Sequence, residues 1–473
     1  MKLDINDLRE YFASHKDEIV ADLCSLVRIP SVWAEAEGDA PYGRDCLDAL
    51  KASLKLFTDE GFAGYLGEEN RYALAFYGGE NIAESIGLFA HTDVVPAGEG
   101  WTLTEPFSPI VSDGCVIGRG ATDNKSGVIL SLWVLKYFKE RGITPARPIT
   151  VYLGSAEEKM MTDIRVYREK HGSPYVSLVP DSGYPICYGE KGIARCWFDA
   201  RDAFVDVLDM KGGKAMNVIL GTAEVTLKDS DALYTELEAL LKDEPNVTVK
   251  REDGKILLFA KGISTHASAP AGSRNAAFML ASLLARTQSL AASDREILSR
   301  AAGVLEPTDG SQADMAGTYG SFSPLTMANG MVCLEEGKLA FSFDIRYCPN
   351  LTPSEIEQKL TLCAEKNGFD LRLLSNRPGF LNPVDSPAVS VVLDVGEELS
   401  GTRPKPFLMG GGTYARELKN AYSIGPRAPY VKDPFVGLPG HGEPHGADEH
   451  LPIDSFLEAI VLAAESIVRL AEY

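Results

Sequence analysis

The stretch IGLFAHTD, Ile86–Asp93, decides the reading of this chain. Five apolar or small residues run without alternation, as in a parallel strand covered on both faces. A histidine and an aspartate follow at once. The pattern recurs in ITVYLGSAEE (149–158) and YVSLVPDS (175–182): an apolar run, then carboxylates. Between the first two lies VILSLWVLKYFKERG (128–142), whose spacing predicts a helix. Strand, helix, strand is βαβ logic and predicts an α/β sheet. In open α/β sheets ligands bind at the carboxyl ends of the strands. Three strands therefore deliver His91, Asp93, Glu157, Glu158 and Asp181 to one sheet edge.

Outward from this core, residues 4–28 read as one amphipathic helix capped by Asp4 and stopped before Pro30. Residues 44–60 read as a second, with Leu47, Leu50, Leu54 and Phe57 on one face and Gly61 at its end. After about Tyr188 the segments ARCWFDA (194–200) and KLAFSFDIRY (338–347) alternate more. Helical stretches at 231–242, 274–289 and 354–366 separate them, an α+β pattern. The end reads as a helix over 456–471 with Ser455 and Glu458 as a capping box.

Composition narrows the function. Asp and Glu outnumber Lys and Arg by 67 to 46 in 473 residues, a formal charge of −21. That balance disfavours nucleic acid and anionic membrane partners, which need a basic surface. No apolar run approaches the ~20 residues of a membrane span. The start, MKLDINDLREYF, reads as an amphipathic helix rather than a signal peptide. The eight cysteines show no CxxC pair and read as reduced, mostly buried thiols of a cytoplasmic protein.

The chemistry-bearing residues form a distributed set of hard metal ligands. In His91-Thr-Asp93 the period-two geometry of a strand puts both side chains on one face. One can bind a metal while the other fixes the imidazole. Asp123, in the glycine-rich loop GRGATDNKSG (118–127), reads either as a bridge between two metals or as the cap of the next helix. The loop lacks phosphate-loop spacing. Glu157 and Glu158 point different ways, so one can ligate a metal while its neighbour takes a proton from water. In GHGEPHGADEH (440–450) three of the chain's seven histidines, His441, His445 and His450, share a Gly/Pro loop. At least one of them reads as a ligand. The donor set is His, Asp and Glu without sulfur, which suits Zn²⁺, with Co²⁺ or Mn²⁺ as substitutes.

Taken together, these motifs resemble the co-catalytic zinc peptidases that include aminoacylases, bacterial carboxypeptidases and dipeptidases of the peptidase V type. AHTDVVPAGEGW (90–101), GRGATDNKSG, GSAEE (154–158), PDSGYPICYGEKG (180–192), THASAPAGSRNA (265–276), FDIRY (343–347), GGGTYAR (410–416) and PHGADE (444–449) occur in the family's order. The resemblance implies a catalytic domain over 1–187 and 384–473, with a mixed, largely parallel sheet flanked by helices, and an inserted α+β lid domain over 188–383. It implies two Zn²⁺ per chain. His91, Asp123 and Asp181 would hold one, and Asp123, Glu158 and His445 the other. Asp93 would orient His91 and Glu157 would be the general base. From the lid, His266 would stabilise the oxyanion and Arg346 would clamp the substrate's carboxylate, with Asn217, Gly411 and Gly412 as further substrate contacts. The expected activity is hydrolysis of dipeptides, β-amino dipeptides included, by a monomeric enzyme. The alternatives are an N-acyl amino acid deacylase, a two-metal phosphoesterase and an inactive metal-binding protein. Three positions beside the ligands, Asn124, Ser126 and Lys159, depart from the family's usual pattern.

Overall fold

The computed structural model describes residues 1–473. The strands Ile86–His91 and Ile149–Gly154 are buried along their whole length. They pair in parallel, in a register that sets His91 opposite Gly154. Val176–Val179 joins the other side of 86–91 in parallel, and Ala421–Ser423 extends the sheet in parallel beyond it. Tyr72–Tyr77 adds antiparallel to 149–154, and Ala63–Leu66 antiparallel to 72–77. The result is the expected mixed sheet, with its parallel strands at the centre.

The crossover helix spans Lys125–Glu140 and is buried from Lys125 through Phe138. One side meets the strand 86–91 and the other meets the helices Lys16–Val27 and Ile453–Leu470. A helix with apolar residues all round is one covered on every side. Trp133, Leu130 and Val134 lie in one core with Leu88, Val151, Ile460 and Ile467.

The N-terminal region corrects the expectation of a single helix. Two helices, Ile5–Ser14 and Lys16–Val27, meet at His15, whose φ and ψ of −103° and 15° leave the helical region. The Tyr11 carbonyl there accepts from the Ser14 hydroxyl at 2.8 Å, the His15 ring at 2.8 Å and the His15 N–H at 3.1 Å. Side chains that compete for backbone acceptors open a turn in this way. The C-terminal helix likewise begins at Ile453. Ser455 caps nothing: its Oγ accepts the Ala428 N–H at 2.7 Å and donates to the Ala428 carbonyl at 3.0 Å. Glu458 is held by Arg9.

These elements form one compact unit, Met1–Gly189 with Asn382–Leu408 and Gly412–Tyr473. A second unit comprises Glu190–Leu381 and Met409–Gly411. Its eight strands are antiparallel throughout, in the order 247–252, 255–261, 222–228, 207–212, 326–335, 338–347, 192–203, 369–377. Gly192–Ala203 alternates buried and half-buried residues, the mark of a sheet with one covered face. Lys338–Tyr347 does not alternate: it is buried from Leu339 onward on both faces. The helices Ala276–Ala285, Ala292–Leu305 and Pro353–Lys366 share a core with Phe198, Phe341 and Phe343.

Candidate metal centre

His91 ends its strand almost wholly buried. Its Nδ1–H donates to the Asp93 carbonyl at 2.9 Å, which leaves the lone pair on Nε2. That Nε2 lies 3.1 Å from Asp123 Oδ1 and 3.7 Å from Asp181 Oδ2. It is buried and makes no hydrogen bond. The Asp93 carboxylate is 3.5 Å from His91 Nδ1. It also accepts the N–H groups of Glu157 and Glu158, at 3.1 and 3.0 Å. The backbone carbonyl of Asp93 thus holds the imidazole, and its carboxylate fixes the turn that presents both glutamates.

The other oxygen of Asp123 is 3.0 Å from His445 Nε2, and Glu158 Oε1 is 3.0 Å from the same nitrogen. Asp123 therefore stands between two imidazoles, one oxygen to each. It caps no helix: Asn124 occupies the cap position of 125–140. Ligand atoms of His91, Asp123 and Glu158 lie within 4.8 Å of one another, as do those of His91, Glu157 and Asp181. All six residues expected near the metals, with Asp93, come together.

Five carboxylates in so small a volume repel one another. Burial, then the charges of its neighbours Asp181, Glu158 and Asp123, pushes Glu157 well above the ordinary carboxylate range, although His91 opposes this. Burial and Asp123 push Asp181 up to about 7. Glu158 is raised in the same manner. Burial also opposes ionisation of Asp123, but the His445 and His91 rings beside its two oxygens hold it well below the usual range. Divalent cations among these oxygens relieve the repulsion and give the orphaned His91 Nε2 a partner, so the residues fit a metal centre.

Several supporting residues escaped the sequence reading. Glu449, fully buried, accepts the N–H groups of Thr122 and Asp123 at 3.0 Å each. Its other oxygen pairs with Arg119 at 2.6 Å. Arg119 in turn donates to the carbonyls of His445 and Ala97, at 3.0 and 3.1 Å. The pair ties the Asp123 loop to the His445 loop. His445 itself has a positive φ of 66°, an unusual conformation for a residue with a Cβ. The departures also find partners. Asn124 donates to the Pro180 carbonyl and accepts the His91 N–H, which an aspartate cannot do at both ends. Ser126 bonds the Thr122 carbonyl, and Lys159 lies over the Trp33 ring. His441 and His450 point elsewhere, to Asp448 and Asp433.

In the second unit, Ser268 donates its N–H to Nδ1 of the exposed His266 at 3.2 Å, so Nε2 carries the proton. Arg346 is buried, with Nε and Nη2 on Asp344 and Nη1 on the Gly410 carbonyl at 2.9 Å. Asp344 was not foreseen: it takes two of the guanidinium's donors and also pairs with Arg195 at 3.0 Å. Asn217 is half-buried, and its carbonyl accepts the Ala267 N–H, next to His266. Gly411 and Gly412 fall on either side of a unit boundary. A Cβ at Gly412 would meet the Arg416 guanidinium at 2.4 Å.

The model of Peptidase family M20/M25/M40 matches residues 87–471, a span that holds every metal-ligand candidate. The chain belongs to this peptidase family. It is 30% identical to the Beta-Ala-Xaa dipeptidase of Lactobacillus delbrueckii subsp. lactis over 495 residues, covering 99% of each chain. Its fold is similar to human carnosine dipeptidase 1, with a TM-score of 0.62, 15% identity and full coverage of both chains. It is similar also to the dipeptidase Dug1p of Saccharomyces cerevisiae, with a TM-score of 0.63, 13% identity and full coverage. The family is metal-dependent, in keeping with the donor set. No helix is long and apolar enough to cross a membrane.

Proposed function

We propose that this peptidase hydrolyses dipeptides, β-amino dipeptides included, with two Zn²⁺ held by His91, Asp123 and Asp181 and by Asp123, Glu158 and His445. The observation that carries the reading is Asp123, with one oxygen toward each imidazole at 3.1 and 3.0 Å. The near full-length match to a Beta-Ala-Xaa dipeptidase supports the substrate class. Bound there, the cations would polarise the scissile carbonyl and lower the pKa of water toward ~7.

Glu157 is the base in this mechanism. Its Oε1 is buried without a hydrogen-bond partner, so it is open to take a proton from water and return it to the leaving amine. Asp93 holds the backbone of Glu157 in place. In the second unit, given the lid role, His266 Nε2–H would stabilise the oxyanion and Arg346 the substrate's carboxylate, with Asn217, Gly411 and Gly412 as lesser contacts. Arg346 is preset by Asp344 for a planar partner. The eight free cysteines, seven of them buried, support a reducing, cytoplasmic setting, and we take the enzyme to act as a monomer.

The test is a hydrolysis panel of α- and β-amino dipeptides and N-acyl amino acids with Zn²⁺, Co²⁺ or Mn²⁺, with and without chelator. Turnover of dipeptides that chelator abolishes is expected. Turnover of acyl amino acids alone would overturn the substrate assignment.

A further inference from the structure

A second group of side chains of metal-ligand type shares no residue with the proposed dinuclear centre. The strands Cys115–Ile117 and His450–Pro452 pair antiparallel, with Cys115 opposite Pro452 and Ile117 opposite His450. Cys115 and His450 are thus diagonal neighbours on one face of the ribbon, within reach of each other. Asp433 completes the group. Cys115 Sγ, one His450 nitrogen and a carboxylate oxygen of Asp433 all lie within 4.8 Å of one another.

The His450 ring is held rigidly. Phe435 stacks on it at 3.8 Å with planes 8° apart. The Gly442 carbonyl faces Nδ1 at 2.8 Å and can only accept, so Nδ1 carries a proton. In the neutral ring Nε2 then presents a lone pair, and it faces Asp433 Oδ2 at 2.9 Å. A positive charge therefore belongs at that contact: either a proton on Nε2, which makes an imidazolium–carboxylate pair, or a metal cation in its place. Metal arms of ~2.0–2.2 Å at a tetrahedral angle span about 3.3–3.6 Å between nitrogen and oxygen, so the half-exposed Asp433 carboxylate would have to retreat by about half an ångström from its 2.9 Å contact to admit the ion. Cys115 Sγ makes only a 4.0 Å contact, with the Asp113 carbonyl.

We propose that Cys115, Asp433 and His450 form an additional binding site for a thiophilic divalent cation such as Zn²⁺, Co²⁺ or Cd²⁺, chemically distinct from the all-oxygen-and-nitrogen centre. A fourth position, on the exposed Asp433 side, is left to solvent. The set of one sulfur, one nitrogen and one oxygen favours borderline and soft metals over Mg²⁺ or Ca²⁺. Burial and the neighbours Asp433 and Asp113, opposed by Arg427, push the Cys115 thiol up to about 11. Binding must therefore break the S–H bond, form the S–metal bond and release one proton to solvent. The Arg427 guanidinium donates to the His450 carbonyl and so stays off the ligand atoms. The site also grips the loop that carries His445, because the His450 N–H donates to Gly442.

This inference does not depend on the dipeptidase reading, and its test reads sulfur ligation alone. Metal-free protein is titrated with Co²⁺ and followed in the near ultraviolet, where thiolate-to-cobalt charge transfer absorbs. None of the ligands of the dinuclear centre carries sulfur, so the band reports this site. It should grow to one equivalent, vanish in Cys115→Ser and persist in Cys333→Ser. The exposed variant Asp433→Ala, which leaves the thiol in place, should shift the titration midpoint by about tenfold or more. No band in the parent protein, an undiminished band in Cys115→Ser or an unmoved midpoint in Asp433→Ala would each overturn the proposal.

Discussion

Glu449→Gln is the perturbation that most directly tests how the metal centre is held. The side chain is fully buried and the substitution preserves its shape. One oxygen can still accept the N–H groups of Thr122 and Asp123. The other becomes an NH₂ facing the Arg119 guanidinium, donor against donor, where a 2.6 Å ion pair stood. Arg119 is only 1% exposed, so its charge has no recourse to water. Removing one partner of such a pair costs about 3–5 kcal/mol. Arg119 also bonds the His445 carbonyl, so the disturbance reaches a proposed ligand, and supporting contacts of this kind are worth ~10–100-fold in metal affinity. Denaturant unfolding of the metal-free protein measures the first effect and competition with a chromophoric chelator the second. The double variant Arg119→Met/Glu449→Gln separates them. Removing the stranded charge should recover most of the stability, whereas metal affinity should stay low because the His445 carbonyl has lost its donor. A double variant no more stable than Glu449→Gln, or a single variant with unchanged stability, would refute the reasoning.

Other expectations follow from the same contacts. Glu157→Gln should retain the metals and lose ~10²–10⁴ in kcat, checked by metal analysis beside steady-state kinetics. His445→Ala should lower metal content, and undiminished content would reassign the ligand to His441. Metal at about 100 times its Kd should raise stability by about 2.7 kcal/mol, seen as a chelator-sensitive shift in the thermal midpoint. Burial opposes the charge of Asp448, but the Thr102 hydroxyl, His441 and the N–H groups of Leu103 and Thr102 outweigh it and hold the carboxyl at about 2, below its ordinary value of 3.8. Because the folded pKa is the lower one, its contribution of roughly 2 kcal/mol is present above pH ~4 and lost as pH falls toward 2. Asp448→Asn should flatten the acid limb of the stability profile over that window.

Much of the centre was legible because each of its strands carries its own signature. A run buried on both faces cannot alternate, and the polar residues after it lie at the sheet's edge, so His91, Glu157, Glu158 and Asp181 could be read locally. The residues that hold them in place could not. Glu449 and Arg119 are 330 positions apart, and nothing in either segment marks an ion pair. Asn124 reads as a departure until its amide is seen joining the ends of two strands. Among three clustered histidines, spacing cannot say which one turns inward; only the contacts of the folded loop set His445 against Asp123 and Glu158 and the other two against Asp448 and Asp433. The helix boundaries near His15 and Ser455 shifted for a related reason, since hydroxyls and a ring took the backbone partners that periodicity assigned to a helix turn.

The ion pair between Arg119 and Glu449 also orders events during synthesis. More than half the chain separates Asp181 from His445. At ~5–20 residues per second, the ribosome delivers the second histidine ~10–50 s after the last of the early ligands. Until then the sheet edge holds carboxylates and one imidazole, with the Asp123 loop not yet fastened by Glu449. Such a half-built pocket would bind a first ion weakly and exchange it readily. On the proposed ligand set the C-terminal segment is the latch that closes the acidic cleft, and a ribosome-stalled chain ending before residue 440 should give up its metal to chelator far faster than the finished protein.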